Sequence, residues 1–79
     1  MRYEAWFTDD RGRVNVEAFT ASTDAAAIRA ARAAVAAHRR ARAAQCAALG
    51  FAFRCRKDWY RLQALRNVDS DVWIMPGTN

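Results

Sequence analysis

One long helix dominates what this chain can fold into. Residues 23–49 consist largely of alanine and arginine, which are both strong helix formers. Thr23 and the hydroxyl residues before it are suitable N-caps, and Asp24 places a carboxylate in the first turn. Gly50 stands where a helix is expected to end. In a chain of 79 residues, which allows a single domain (1–79), the remaining elements must be short and must pack on this helix.

A β-hairpin is predicted before the helix. In residues 2–8, apolar and polar side chains alternate with the period of two that is typical of a strand covered on one face. Val14, Val16 and Ala18 continue this alternation in a second strand. Residues 9–12 connect the two, with Gly12 placed to adopt a positive φ.

The segment after the helix predicts two or three further strands. Residues 51–56 alternate as a third strand, and Val72–Met75 forms a last strand that ends before Pro76. Residues 59–65 fit either a strand or two helical turns, and the strand is favoured. Residues 67–71 read as a turn. The predicted fold class is therefore α+β, with one long Ala/Arg-rich helix on an antiparallel sheet of four to five strands, in the order ββα and then ββ or βββ.

A helical wheel gives the helix one apolar stripe that should face the sheet. Its members are Ile28, Ala31, Val35, Cys46 and Leu49. Arg42 falls within this stripe, which predicts either a bend near residue 40 or a C-terminal half that projects past the sheet. The second possibility fits the lengths, because the helix should span roughly 40 Å and a seven-residue strand only about 23 Å.

The charge of the chain is concentrated in one region. No acidic side chain occurs between Ala25 and Lys57, whereas both flanking segments carry more carboxylates than arginines. Such asymmetry favours an anionic partner and says nothing about the fold. The basic members of the region, which are the predicted partner-binding residues, are Arg29, Arg32, Arg39, Arg40, Arg42, Arg54, Arg56 and Lys57.

Tryptophans form a second candidate surface, on the sheet face opposite the helix. Aromatic side chains interleaved with arginine suit either base stacking or a protein hot spot. The alternative is that they close a second small core or a dimer interface, and a homodimer stays open for so short a chain. The residues expected on this face are Trp6, Phe19, Arg54, Arg56 and Trp73, with Trp59 as a further candidate.

The sequence contains no arrangement of residues that favours an enzyme. His38, the single histidine, lies among helix alanines and is expected to be partly exposed or a packing residue. Cys46 and Cys55 lack the spacing of a redox or zinc site and are expected to be reduced, so no metal and no cofactor is predicted. Nucleotide-binding and acyl-transfer motifs are absent. Without an apolar span or a signal-like start, the sequence predicts a cytoplasmic protein.

Two stretches, AFTASTDAAAIRAARAAV and YRLQALRNVDSDVWIM, resemble the layout of small phage-encoded anti-CRISPR proteins. Some of those proteins place a hairpin, one alanine-rich helix and a closing antiparallel pair in a chain of similar length. The resemblance implies a stoichiometric inhibitor in the host-cell cytoplasm. Such an inhibitor would dock on protein subunits of a type I CRISPR surveillance complex and block DNA recognition or nuclease recruitment.

The same arginines allow an alternative function of another class. A small nucleic-acid-binding protein could neutralise phosphates with them, and its affinity would then fall steeply with salt. No known nucleic-acid-binding motif is present in the sequence. The leading hypothesis is therefore a non-enzymatic protein-binding inhibitor, with the arginines on an acidic patch of its target and the tryptophans as desolvated anchors.

Overall fold

The hairpin, the long helix and the closing strand pair all form. The structure is a computed structural model that describes residues 1–50 and 59–75, and the predicted strand at 51–56 lies outside this range. Its elements are β1 (Arg2–Asp9), β2 (Val14–Thr20), α1 (Asp24–Ala48), β3 (Tyr60–Asn67) and β4 (Val72–Met75). The strands lie in the order β2-β1-β3-β4, and every neighbouring pair is antiparallel. The α+β prediction is confirmed, as is the favoured strand at 59–65.

The hairpin turn is held by one carboxylate. Asp9 Oδ1 accepts hydrogen bonds from the backbone N–H of Arg11 and of Arg13, each at 2.9 Å. Asp9 Oδ2 accepts from Arg13 Nε at 2.8 Å. Burial acts to raise the pKa of Asp9, but the N–H groups of Arg13 and Arg11 and the Arg13 guanidinium outweigh it and lower that pKa. Gly12 completes the turn with a φ of 77°, which only glycine adopts at no steric cost.

Both ends of α1 match the capping residues expected from the sequence. The Thr23 hydroxyl accepts a hydrogen bond from Ala26 N at 3.1 Å. At the other end, Gly50 has a φ of 78° and donates its N–H to Ala47 O at 3.1 Å. The 25-residue helix between these caps is about 37 Å long, whereas an eight-residue strand spans about 26 Å, so the helix extends past the sheet.

The core lies between α1 and the middle of the sheet. Its buried side chains are Tyr3, Ala5, Phe7, Ala27, Ala31, Val35, Tyr60, Leu62 and Leu65. The helix contributes two small side chains to this core, Ala27 and Ala31, which are 0% and 2% exposed. The predicted stripe ends sooner than the sequence indicated, because Leu49 is 62% exposed. By that point the helix has run beyond the sheet that would cover it.

A polar cluster ties the start of α1 to the sheet. Asp24 Oδ1 accepts from the Tyr3 hydroxyl at 2.7 Å and from Asn67 Nδ2 at 3.2 Å. Tyr3 is fully buried and Asn67 nearly so, so these hydrogen bonds satisfy polar groups that water does not reach. Burial, together with the hydrogen bond to Asp24, raises the pKa of Tyr3 to about 12.

Strand β2 faces the opposite way from the prediction. Phe19 lies on the helix side, where it packs against the core and stacks on Tyr3 with 5.7 Å between ring centroids. Val16 pairs with Trp6 on the other side of the sheet and is 43% exposed. The expected position of Phe19 opposite the helix is therefore wrong. Both sides of β2 carry apolar residues, and the large aromatic ring takes the side with more surface to bury.

Candidate partner-binding surface

The arginines of α1 fall into two groups. Arg39 and Arg42 are held by contacts within the fold. Arg29, Arg32 and Arg40, here called the outer arginines, make no hydrogen bond or ion pair through their side chains within residues 1–50 and 59–75. All three are exposed. The predicted basic surface of the helix thus contains two structural arginines and three that are available to a partner.

Arg42 lies on the apolar stripe of α1, at a point past the buried core where its side chain contacts Trp59 and the hairpin turn. Its guanidinium lies over the ring of Trp59, 4.4 Å from the centroid. One of its nitrogens is 3.5 Å from Asp10 Oδ2 in the hairpin turn. These two contacts explain a charged residue on the sheet-facing side of the helix, and they make Arg42 part of the packing.

In the preceding turn of the helix, two side chains contact Tyr60. Arg39 Nε donates a hydrogen bond to the backbone oxygen of Tyr60 at 2.8 Å. His38 stacks on the Tyr60 ring with 4.6 Å between centroids, and its Nδ1 lies 2.8 Å from Ala34 O. His38 is exposed and also packs on an aromatic ring, as the sequence led us to expect.

No carboxylate of residues 1–50 and 59–75 forms an ion pair with an outer arginine, although Glu17 lies beside Ala30 and Ala34 of α1. Glu4 and Asp71 both bind Arg66, at 3.0 and 2.6 Å. Asp69 binds Arg2 at 2.9 Å, and the Arg2 backbone N–H and guanidinium lower the pKa of Asp69. The Glu4 pair joins β1 to β3, and the Asp69 and Asp71 pairs join strands to the turn between β3 and β4. The positive charge of the outer arginines is therefore not neutralised by residues 1–50 or 59–75.

An apolar groove lies beside this basic surface. Arg32 and Arg39 border a cavity of about 210 Å³ that is also lined by Val35, Leu62 and Met75. The two arginines are seven residues apart, so they are about 10 Å apart along the helix axis. The sequence analysis did not identify Leu62 and Met75 at this surface. Only their strand pairing, which brings β3 and β4 under the helix, places them there.

The tryptophans do not gather on one face. Trp6 and Trp73 meet on the sheet face away from α1, with 6.0 Å between ring centroids, as predicted. Trp59 instead packs against the core beside Tyr60, under Arg42. Trp59 was therefore wrongly offered as a member of the opposite face. The remaining predicted binding residues, Arg54, Arg56 and Lys57, lie outside the described residues.

The expectation that the cysteines are reduced is wrong for Cys46. Cys46 is disulfide-bonded, and Cys55 lies outside the described range. No group of three or more His, Cys, Asp or Glu side chains that could hold a metal ion occurs in the described part of the chain. Within the same residues, no helix is long and apolar enough to cross a membrane.

No protein-family model, no curated protein and no solved structure matches the chain. The functional proposal therefore depends on the groups that the surface presents. These are three exposed arginines with no acidic partner in the described chain, and an apolar groove between Arg32 and Arg39.

Proposed function

We propose that this chain is a small non-enzymatic binding protein that docks on an acidic surface of another protein through its outer arginines. The observation that carries the proposal is that their side chains have no hydrogen-bond or ion-pair partner among residues 1–50 and 59–75. Five carboxylates, those of Glu4, Asp9, Asp10, Asp69 and Asp71, bind Arg2, Arg13, Arg42 and Arg66 instead. Exposed guanidinium groups without intramolecular partners are well suited to bidentate pairing with carboxylates of a partner.

The groove supports a protein partner over a nucleic acid. Its lining combines arginine side chains at the rim with Val35, Leu62 and Met75. A protein segment with an apolar side chain next to a carboxylate would fill the groove and pair with Arg32 at once. A phosphate backbone would pair with the arginines and leave the apolar lining uncovered.

Within this proposal, the resemblance to anti-CRISPR proteins supplies the candidate target. The partner would be a protein subunit of a type I CRISPR surveillance complex, and docking would block DNA recognition or nuclease recruitment in the host-cell cytoplasm. The Cys46 disulfide does not favour that location, because disulfides are rare in a reducing cytoplasm. A thiol count on protein isolated from the cytoplasm under alkylating conditions checks this point.

Two binding assays test the proposal and identify the class of partner. Immobilised protein is incubated with purified type I surveillance complexes, with a variant carrying Arg29→Glu, Arg32→Glu and Arg40→Glu as the comparison. Capture by the wild type and loss of capture by the variant is the expected result. Unchanged capture by the variant would remove the outer arginines from the mechanism.

A gel-shift titration separates the nucleic-acid alternative. Binding through phosphates predicts an affinity for DNA or RNA that falls by orders of magnitude between about 50 and 200 mM salt. We expect no shift of either nucleic acid at the lower salt concentration. A strong, salt-dependent shift that the triple variant abolishes would replace the protein-partner proposal with the nucleic-acid one.

A further inference from the structure

The sheet face away from α1, here called the open face, exposes apolar side chains on both of its edge strands, β2 and β4. Trp73 is 51% exposed, and Val14 and Val16 are 51% and 43% exposed on strand β2. Trp6 lies between them, paired with Val16 on one side and in ring contact with Trp73 on the other. A contiguous patch of this kind is typical of an interaction surface rather than of scattered surface residues.

Several polar side chains of the open face have partners within the face, whereas the Trp6 indole N–H and the Arg61 guanidinium have none among residues 1–50 and 59–75. Arg66 donates to Glu4 at 3.0 Å and to Asp71 at 2.6 Å. The Thr8 hydroxyl is hydrogen-bonded to the side-chain amide of Gln63. Covering the paired groups, Arg66, Glu4, Asp71, Thr8 and Gln63, would therefore break few hydrogen bonds to water, so their desolvation adds little cost to binding.

The charges on this face balance, in contrast to the helix side. Arg2, Arg61 and Arg66 lie on this side with Glu4, Asp69 and Asp71, three charges of each sign; Arg66 pairs with Glu4 and Asp71, Arg2 pairs with Asp69, and Arg61 has no ion pair within residues 1–50 and 59–75. The outer arginines lie on the helix, on the opposite side of the sheet. Two copies that meet through their open faces thus keep their basic surfaces apart, whereas contact through the helix side would bring like charges together.

We propose that two copies of this chain pack open face to open face, with the Trp6 and Trp73 pairs at the centre of the interface. Dimerisation would add buried apolar area to a core that is small, since Ala5, Ala27 and Ala31 bury little area. A sheet of four strands about 4.8 Å apart and seven residues long offers roughly 440 Å² per copy. Two such faces bury about 880 Å² in total, which is below the roughly 1,200 Å² of stable specific interfaces and in the range of weak, transient ones, so the dimer dissociates on dilution. The dimer presents the outer arginines of its two copies on its two opposite helix sides.

Sedimentation equilibrium of the whole chain over a range of about 1 to 300 µM tests the dimer. The wild type should pass from monomer to dimer with rising concentration. Trp73→Glu and, independently, Val16→Glu should each weaken the dimer at least tenfold, because each places a charge in the apolar interface. Val72→Glu is the matched control, since Val72 is 53% exposed but points to the other side of β4.

Circular dichroism establishes that each variant is folded before its mass is compared with the wild type. Retention of the dimer by Val72→Glu and its loss in either open-face variant supports the proposal. A wild type that remains monomeric throughout the range would overturn it, as would a dimer that both open-face variants retain. Raising the salt concentration should leave the dimer intact, because its interface is apolar and balanced in charge.

Discussion

The guanidinium of Arg42 lies 4.4 Å from the centre of the Trp59 ring, on the side of the helix that faces the sheet. Together with its ion pair to Asp10, this contact gives Arg42 a structural role that Arg40, two residues earlier and exposed, does not have. The contrast between these arginines provides a direct test of which of them stabilise the fold.

Replacing Arg42 with alanine should reduce the free energy of unfolding by about 1 kcal/mol, through loss of the cation–π contact and the partly exposed ion pair. Replacing Arg40 with alanine should change it by less than about 0.5 kcal/mol. Urea unfolding at neutral pH measures both. Equal effects of the two substitutions would contradict the division of the helix arginines into two groups.

The raised pKa of the Tyr3 hydroxyl predicts a loss of stability at alkaline pH. Its pKa is raised to about 12, above the ordinary value of 10.0. The folded state therefore holds this proton more tightly than the unfolded state does. The contribution of Tyr3 to the free energy of unfolding is complete below pH 10 and is lost as the pH rises towards 12. Absorbance titration of the tyrosines should show one that ionises late, and Tyr3→Phe should remove it. Loss of the late step in Tyr60→Phe instead would show that the assignment is wrong.

Asp9 predicts a loss of stability in acid. Hydrogen bonds to its carboxylate, mainly from the backbone of Arg13 and Arg11, lower its pKa below the ordinary value of 3.8. The stabilisation is therefore present above that value and disappears as the pH falls through the lowered pKa of the folded state. Unfolding of Asp9→Asn should depend less on pH between 5 and 2 than unfolding of the wild type. An unchanged pH profile would exclude Asp9 as a source of acid sensitivity.

Much of the fold follows from local patterns in the sequence. Thr23, Gly50 and the alanines between them define the helix, and alternation defines the hairpin strands. The orientation of β2 could not be derived in this way. Phe19 and Val16 are both apolar and lie on opposite sides of the strand, so the pattern alone does not say which side is buried.

Strand β3 illustrates the same limit within one element. Alternation groups Leu62 with Ala64, but the register shifts between Trp6 and Phe7, so that Trp6 pairs with Ala64 while Phe7 pairs with Leu62. The irregularity lets Leu62 and Leu65 both reach the core, although they are three residues apart. Such a bulge depends on how the strands pair, which alternation in one strand does not reveal.

The positive charge of the candidate surface was predictable from the sequence. Which of its arginines are structural and which are available to a partner was not. An acid-free run of arginines is visible in the sequence, but the binding of Arg39 to the Tyr60 carbonyl and of Arg42 to Asp10 depends on contacts between distant segments. The same holds for the carboxylates. Their distance from the outer arginines follows from strand pairing, which brings Glu4 beside Arg66.

A binding measurement with matched charge variants tests the central claim that the outer arginines form the exposed anion-binding surface. Arg29→Glu with Arg40→Glu is compared with Arg11→Glu and Arg61→Glu, which are exposed arginines of the hairpin turn and of the open face, and all samples are kept at a concentration where the chain is monomeric. Both double variants lower the net charge by the same amount. The affinity for poly-L-glutamate, measured calorimetrically at about 50 mM salt, should fall at least tenfold further in the helix variant. Equal losses in the two variants would show that binding follows net charge alone and would contradict the account.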